Sequence, residues 1–333
     1  MRSVKKSALR VAAATVATGV LTVGAAALAS SAGASTLSNG GNGTAYSFRT
    51  LDNANDPTFN QLLGINDEGV IAGYFGSGAQ GHPNKGYLLL PPFYSQHSYT
   101  GENFPGSVQT QVTGLNNRGV TVGFWSGMNN ASMSNDNFGF VDVDGHFRNA
   151  DFPTGSAASP PVDQLLGVND SDVAVGFYTD ANGNNHGYEY NILDNRFSTV
   201  TYNGAPGTSL TAAAVNDRND VAGFYTNPGT GNTDGFIKFR DETFIDLSVP
   251  GASSTVALGV NNSDEVVGVY TPGDNSQALD GFIWTPQHGF TTLDDPHGVG
   301  TTTINGVNDL GQVVGFYVDA AGNTDGFVAT PRR

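Results

Sequence analysis

Cysteine is missing from all 333 residues, so no disulfide braces this fold and no thiolate is available as nucleophile or metal ligand. Positive charge is scarce as well, with 14 Lys and Arg against 30 Asp and Glu. Four of the 14 (Arg2, Lys5, Lys6, Arg10) lie in the first ten residues, and without them 10 basic residues face 30 acids, a formal charge of −20. Phosphate binding needs clustered Lys and Arg. The chain is therefore expected to meet neither nucleic acid nor an anionic membrane surface. An excess of acid suits divalent cations or solubility outside a cell. Catalytic signatures are missing too: no Gly-x-Ser-x-Gly elbow, no His-Glu-x-x-His and no phosphate-binding glycine loop. The six histidines (His82, His97, His146, His186, His288, His297) show no metal-ligand spacing. Past residue 34 there is no long apolar run and no sustained helical period.

The first 34 residues have a different composition. A basic start is followed by an alanine-rich apolar run, Val11 to Leu28, and by small-residue cleavage sites at Ala27-Leu28-Ala29 and Ala32-Gly33-Ala34. Residues 1–34 read as a signal peptide, 35–43 as a flexible Ser/Gly/Asn leader and 44–333 as one domain, long enough to bury a core without disulfides. The expected location is secreted, extracellular or bound to the cell wall. The expected state is a monomer with no membrane span once the signal is removed.

What the chain has in abundance is one stretch, written six times. Its last copy reads Gly306-Val307-Asn308-Asp309-Leu310-Gly311-Gln312-Val313-Val314-Gly315-Phe316-Tyr317. The others are anchored on Asn66, Asn116, Asn169, Asn216 and Asn261, at spacings of 50, 53, 47, 45 and 47 residues. Seven residues past each anchor stands a glycine (Gly73, Gly123, Gly176, Gly223, Gly268, Gly315). An aromatic residue closes each copy: Phe75, Trp125, Tyr178, Tyr225, Tyr270, Tyr317. Such a period belongs to propeller blades.

Four short strands per repeat, joined by Gly, Asn, Asp and Pro turns, make the fold all-β. Strand A precedes the anchor, B carries the fixed glycine, C opens with Gly-aromatic, and D ends near a proline. Strand B is apolar on both faces, as a strand packed between two neighbours should be. Three residues past each anchor lie Gly69, Gly119, Asp172, Asn219, Asp264 and Gly311, the residue types that tolerate the left-handed turn of a tight A–B hairpin. The anchor Asn itself is expected to fold its side chain onto that turn. Because the chain opens with a D strand, Tyr46 to Asp52, and stops after a C strand, the first strand is expected to complete the last blade. The expected fold is a six-bladed β-propeller of four-stranded blades, closed by its N-terminal strand.

The Gly-Val-Asn-Asp…Val-Val-Gly-Phe-Tyr core and the small-residue-plus-aromatic element after it resemble the bacterial extracellular repeat family named for a His-Ala-Phe (HAF) signature. The resemblance covers Tyr46 to Pro331. The chain departs from the name, with His186-Gly187-Tyr188 in one repeat and Asp234-Gly235-Phe236, Asp280-Gly281-Phe282 and Asp325-Gly326-Phe327 in three. The resemblance implies β-propeller surface proteins and no catalytic residues.

Variable loops on a rigid frame are where binding resides. The B–C and D–A loops vary most, Ser126 to Asn137 and Thr154 to Val162 above all, so their face is the candidate functional face. Candidate ligand-binding residues there are His186, Asp234, Asp280 and Asp325, at one repeat-equivalent position, and Trp125. The competing reading has each Asp capping the turn into strand C and Trp125 packing in the core. The runs Asp180-Ala181-Asn182-Gly183-Asn184 and Asp319-Ala320-Ala321-Gly322-Asn323 hint at Ca2+ loops, with Asp180, Asn182, Asn184, Asp319 and Asn323 as weak metal ligands, but they lack EF-hand spacing. Asp294-Asp295 would point to opposite faces within a strand, which excludes a dyad there. Two classes stay open. One is a binding module for carbohydrate or an extracellular protein. The other is an extracellular polysaccharide hydrolase or lyase with its site at the channel mouth. Repeated positions stand out over unique ones, which favours binding without catalysis.

Overall fold

A computed structural model describes residues 44–127, 136–203, 205, 207–273 and 278–332. Residues 1–43, where the signal peptide and leader are expected, and residues 128–135 of the loop from Ser126 to Asn137 lie outside the described residues. The described chain is all-β apart from a single 3-10 turn, Gln96–Ser98.

The strands form antiparallel groups of four. The first strand, β1 (Tyr46–Thr50), stands apart in sequence from its sheet. Sheet one is β2 (Asn60–Ile65), β3 (Ile71–Phe75), β4 (Lys85–Leu89) and β5 (Tyr99–Gly101). Sheet two is β6 (Gln109–Leu115), β7 (Thr121–Ser126), β8 (Phe138–Val143) and β9 (His146–Asn149). Sheet three is β10 (Asp163–Val168), β11 (Val173–Thr179), β12 (Asn185–Asn191) and β13 (Arg196–Val200). Sheet four holds β14 (Leu210–Val215), β15 (Val221–Thr226), β16 (Thr233–Lys238) and β17 (Phe244–Leu247). Sheet five holds β18 (Ala252–Val260), β19 (Val266–Pro272), β20 (Asp280–Thr285) and β21 (Gly289–Thr292). Sheets four and five touch through one parallel bridge, Thr233 to Ser254. Sheet six is β22 (Thr302–Val307), β23 (Val313–Val318) and β24 (Thr324–Pro331), with β1 as its outer strand. β1 runs antiparallel to β24 from Tyr46 opposite Pro331 to Thr50 opposite Phe327. Each group is strands A to D of one sequence repeat.

Register explains the fixed glycine. In every sheet it pairs across strands with the aromatic that opens strand C: Gly73 with Tyr87, Gly123 with Phe140, Gly176 with Tyr188, Gly223 with Phe236, Gly268 with Phe282, Gly315 with Phe327. Those six rings are among the largest fully buried side chains. A Cβ at Gly176 would collide with the Gln164 carbonyl, and one at Gly315 with that of Thr303. The glycine lets strand A, strand B and the ring share one depth, and any larger residue would push the sheet apart.

The core is divided among the sheet contacts. Val175 of sheet three packs with Leu210, Val221 and Phe236 of sheet four. Val267 and Ile283 of sheet five pack with Ile304, Val313 and Phe327 of sheet six. Val314 and Val328 of sheet six pack with Leu62, Ile71 and Tyr87 of sheet one. Burial on both faces accounts for the unbroken apolar runs of strand B.

Candidate functional site

The A–B turns adopt the conformation their sequences call for. Gly69, Gly119, Asp172, Asn219, Asp264 and Gly311 all have positive φ, between 57° and 81°. The anchor Asn closes each turn, as with Asn169, whose Oδ1 accepts from the backbone N–H groups of Ser171 and Val173 at 3.0 Å each. The same side chain has a second role that sequence reasoning missed. Its Nδ2 donates to the backbone carbonyl of the next anchor. Asn66 reaches Asn116 (3.2 Å), Asn116 reaches Asn169 (2.9 Å) and Asn169 reaches Asn216 (2.8 Å). Asn216 reaches Asn261 (3.1 Å), Asn261 reaches Asn308 (3.0 Å), and Asn308 returns to Asn66 at 3.0 Å. Asn carries the acceptor for the turn and the donor for the neighbour on separate atoms of one short side chain.

A second cycle lies one residue on. The N–H of Asp67 donates to Asn117 Oδ1, and the pattern repeats through Asp170, Asp217, Asn262 and Asp309 back to Asp67, at 2.7–2.8 Å. Asn117 Nδ2 bridges the carboxylates of Asp67 and Asp170, and Asn262 Nδ2 those of Asp217 and Asp309. These residues and the small residues of strand A line a cavity of about 120 Å³. The polar groups at this end are occupied in holding sheet to sheet.

In sheets three, four and six the B–C turn is closed by the residue that follows strand B. Asp180 Oδ1 accepts from the N–H groups of Asn182 and Asn184, and Oδ2 from Asn184 Nδ2. The backbone N–H of Asn184 holds the Asp180 carboxyl well below the usual range, with His186 assisting. Asp319 does the same with Ala321 and Asn323, and Asn227 with Gly229 and Thr230. The five weak metal candidates thus form two turns whose carboxylates bond their own backbone. In sheets four and six this corrects the expectation that the Asp before the strand-C glycine caps the turn, while residues 274–277 before Asp280 lie outside the described residues. Asp234 Oδ2 accepts from the Asn227 amide at 2.6 Å, and His186 Nε2 lies 3.1 Å from Asp180 Oδ2. Both brace the capping residue from the next strand.

Register places the equivalent position opposite the aromatic that closes strand B. The pairs are Phe75 with Lys85, Trp125 with Phe138, Tyr178 with His186, Tyr225 with Asp234, Tyr270 with Asp280, and Tyr317 with Asp325. Directly opposed side chains on one sheet face are neighbours. His186 stacks on Tyr178 with centroids 5.0 Å apart, and Phe152 covers the other face of Tyr178 at 4.8 Å. Trp125 is half-buried, stacked flat on Phe104 at 4.3 Å, with its indole N–H on Asn149 Oδ1. Tyr225 and Tyr317 are buried, while Phe75, Tyr178 and Tyr270 are half-buried. The Tyr270 hydroxyl sits 2.9 Å from Thr292 Oγ1. Burial, followed by repulsion from Asp319, raises Asp325.

Other acids in this half escaped sequence reasoning. Burial pushes Asp52 up to about 6, with Asp325 adding repulsion. Asp163 at the start of β10 is pushed up to about 7 by burial, although Tyr188 Oη donates to it at 2.6 Å and the Phe152 N–H at 2.8 Å. Glu102 is also raised to about 7, by burial and by the nearby charge of Asp142, while Thr121 Oγ1 donates to it at 2.7 Å. Three of the six histidines pair with acids: His82 with Asp56, His186 with Asp180, and His297 with Asp295. Asp294 and Asp295 follow β21, outside any strand. Asp294 accepts from the Gly281 N–H, and Asp295 from the His297 N–H. Only their position after a D strand could have signalled these loop roles.

No family model matches the chain, and no curated protein matches it. Several solved structures are similar at low identity. The lectin of Aleuria aurantia, described as a six-bladed β-propeller with a novel fucose recognition mode, has a TM-score of 0.48 at 12% identity, over 81% of this chain and 91% of that one. The SapL1 lectin in complex with α-methyl fucoside has a TM-score of 0.48 at 10% identity, over 78% and 88%. TolB from Acinetobacter baumannii has 0.46 at 10%, over 83% of this chain and 66% of that one. At these scores the likeness says nothing of what this chain binds.

Proposed function

We propose that the six four-stranded sheets are the blades of one closed ring, completed by β1, and that the protein is an exported carbohydrate-binding module. The sugar meets the face of the B–C and D–A loops. The reading is supported by the cross-strand pairing of an aromatic with a polar partner near that face. Half-buried Tyr270 beside Asp280 and Thr292 joins an apolar ring to hydroxyl-binding oxygens, the combination a sugar's C–H face and its hydroxyls require. In sheet three His186 and Phe152 both stack on Tyr178, so the contact rests on sheet five. Export rests on the basic start and apolar run of residues 1–34, and kinship with the extracellular HAF repeat family on the repeat core.

A glycan array tests the binding. Neutral glycans captured by the full chain should be lost, by tenfold or more in affinity, from Tyr270→Ala and Asp280→Ala. An array without a hit, or variants that bind as well as the parent, would overturn the assignment. The hydrolase or lyase alternative has one observation behind it, the raised Glu102 beside Asp142. A reducing-sugar assay on the captured glycans separates the two, since release of ends abolished by Glu102→Gln would make the protein an enzyme.

A further inference from the structure

A cleft of about 310 Å³ opens between sheets three and four. Its lining includes Asn219 from an A–B turn, which sets it on the rim opposite the B–C loops. Here the repeat breaks its own rule. Two residues past the strand-C glycine, five sheets carry Leu88, Val141, Ile237, Ile283 and Val328, and sheet three alone carries a charge, Glu189. One position further, sheet four alone carries a cation, Lys238, where its neighbours have Tyr190 and Trp284. Lys238 faces sheet three, on the same side of its strand as the core ring Phe236.

Placing Glu189 where an aliphatic residue would pack costs stability, and burial raises its carboxyl above the usual range. No salt bridge joins it to Lys238, whose ammonium donates instead to Glu242 at 2.7 Å while only 12% of the side chain is exposed. Arg196 of β13 and Arg240, just past β16, flank the opening, and both are exposed. Among the described residues neither guanidinium has a hydrogen bond or an ion pair. Three acids (Glu189, Asp194, Glu242) and three cations line the cleft, so its charge is balanced, and the two unpartnered arginines at the opening are where an anion can settle. Guanidinium forks suit a carboxylate. Glu189 and Asn219 supply an acceptor and an amide for hydroxyls, and the volume matches the small end of ligand sites, about 300 Å³.

We propose that this cleft binds an acidic saccharide, with Arg196 and Arg240 on the carboxylate of a uronate unit and Glu189 and Asn219 on its hydroxyls. It lies on the rim opposite the sugar face proposed above and does not depend on it. The test is calorimetric titration of the full chain with trigalacturonate at low salt, beside its neutral methyl ester and inorganic phosphate. Trigalacturonate should bind at least tenfold more tightly than the ester, and R196A/R240A should lose tenfold or more with an unchanged melting temperature. Glu189→Leu, which restores the residue type of sheet one, should weaken binding while keeping or raising stability. Absence of trigalacturonate binding, equal affinity for the ester, or an unaffected R196A/R240A variant would overturn the proposal. Phosphate binding as tightly as trigalacturonate would reduce the cleft to a plain anion site and overturn the saccharide assignment. Tyr270→Ala should leave this titration untouched, so failure here and failure at the loop face remain distinguishable.

Discussion

The two ends of the sheets obey different rules. At the A–B turns every sheet does the same thing: one Asn closes the turn and grips the next sheet, and one Asn or Asp repeats the grip beside it. At the B–C and D–A loops the six sheets share no single rule. Asp180, Asn227 and Asp319 close turns of different content, and the residue opposite the closing aromatic is Lys, Phe, His or Asp. The difference follows from what each end must satisfy. An identical bond to an identical neighbour leaves one residue type that fits at all six places. A loop answers only to its own sheet and to whatever it meets outside, so it is free to vary.

Removing β1 is the largest blow to this comparison. A chain starting at residue 56 would expose the edge of β24 and strip Leu51 from the core it shares with Leu62 and Val328. The expected cost is about 5 kcal/mol or more of a total of about 5–15 kcal/mol, read by urea denaturation against a chain starting at residue 44. Matching denaturation midpoints would show that β1 does not close the ring.

Next comes the anchor cycle. Asn308→Ala leaves the part-buried N–H groups of Leu310 and Gln312 without their partner and takes one of two donors from the buried carbonyl of Asn66, which keeps the Gly69 N–H. The expected loss is about 2–4 kcal/mol. Asn308→Asp keeps the acceptor and removes the donor, so it isolates the link between sheets. If the Asp variant were as stable as the parent, the anchor would be a turn-former alone.

Much of the uniform end could be read from the sequence, and little of the variable end. The anchors, the fixed glycines, the left-handed turn residues and the terminal D strand all recur, and recurrence exposes a local rule. The grip of Asn66 on a carbonyl 50 residues away left no such trace, because the turn alone already explained the Asn. The loop roles of Asp52, Asp163 and Asp295 depend on burial between sheets, which one repeat does not reveal. In sheets four and six the cap expected of the Asp before the strand-C glycine belongs to the residue after strand B. Both are short polar residues flanking one turn, and only the register separates them.

Smaller but more telling is the pH response of the loop half. Asp163 titrates near 7 in the folded chain and near 3.9 unfolded. The native state therefore holds the extra proton between those values. Its stabilising effect is full below about pH 4 and is lost as pH rises through 7. Glu102 acts in the same direction. Unfolding free energy should fall by about 2 kcal/mol or more from pH 5 to pH 8. Three sheets put Thr at the place of Asp163 (Thr110, Thr255 and Thr302), each accepting the same loop N–H, and each pairs it with Phe in place of Tyr188. The double variant D163T/Y188F should flatten much of the slope, whereas D163T alone strands the tyrosine hydroxyl. A slope that survives in the double variant would place the missing proton elsewhere.

The smallest expected effect concerns the position that first looked like a binding rim. Asp234 braces the Asn227 cap, and Asp325 sits raised beside Asp319 and Asp52. Asn at 234 still offers an oxygen to the Asn227 amide, so Asp234→Asn should shift stability by no more than about 0.5 kcal/mol. Asp325→Asn removes one of several crowded acids, and its sign should be neutral to slightly stabilising at pH 8, where repulsion is greatest. A divalent cation held by these carboxylates forecasts the reverse. Millimolar calcium would then raise the melting temperature by many degrees, and both Asn variants would lose that rise. Thermal scans of the parent and the two variants, with calcium and with chelator, set the forecasts against each other. Variants that track the parent in both conditions leave the position as bracing for a turn. Any sugar specificity on this face then falls to the half-buried rings and the loops around them.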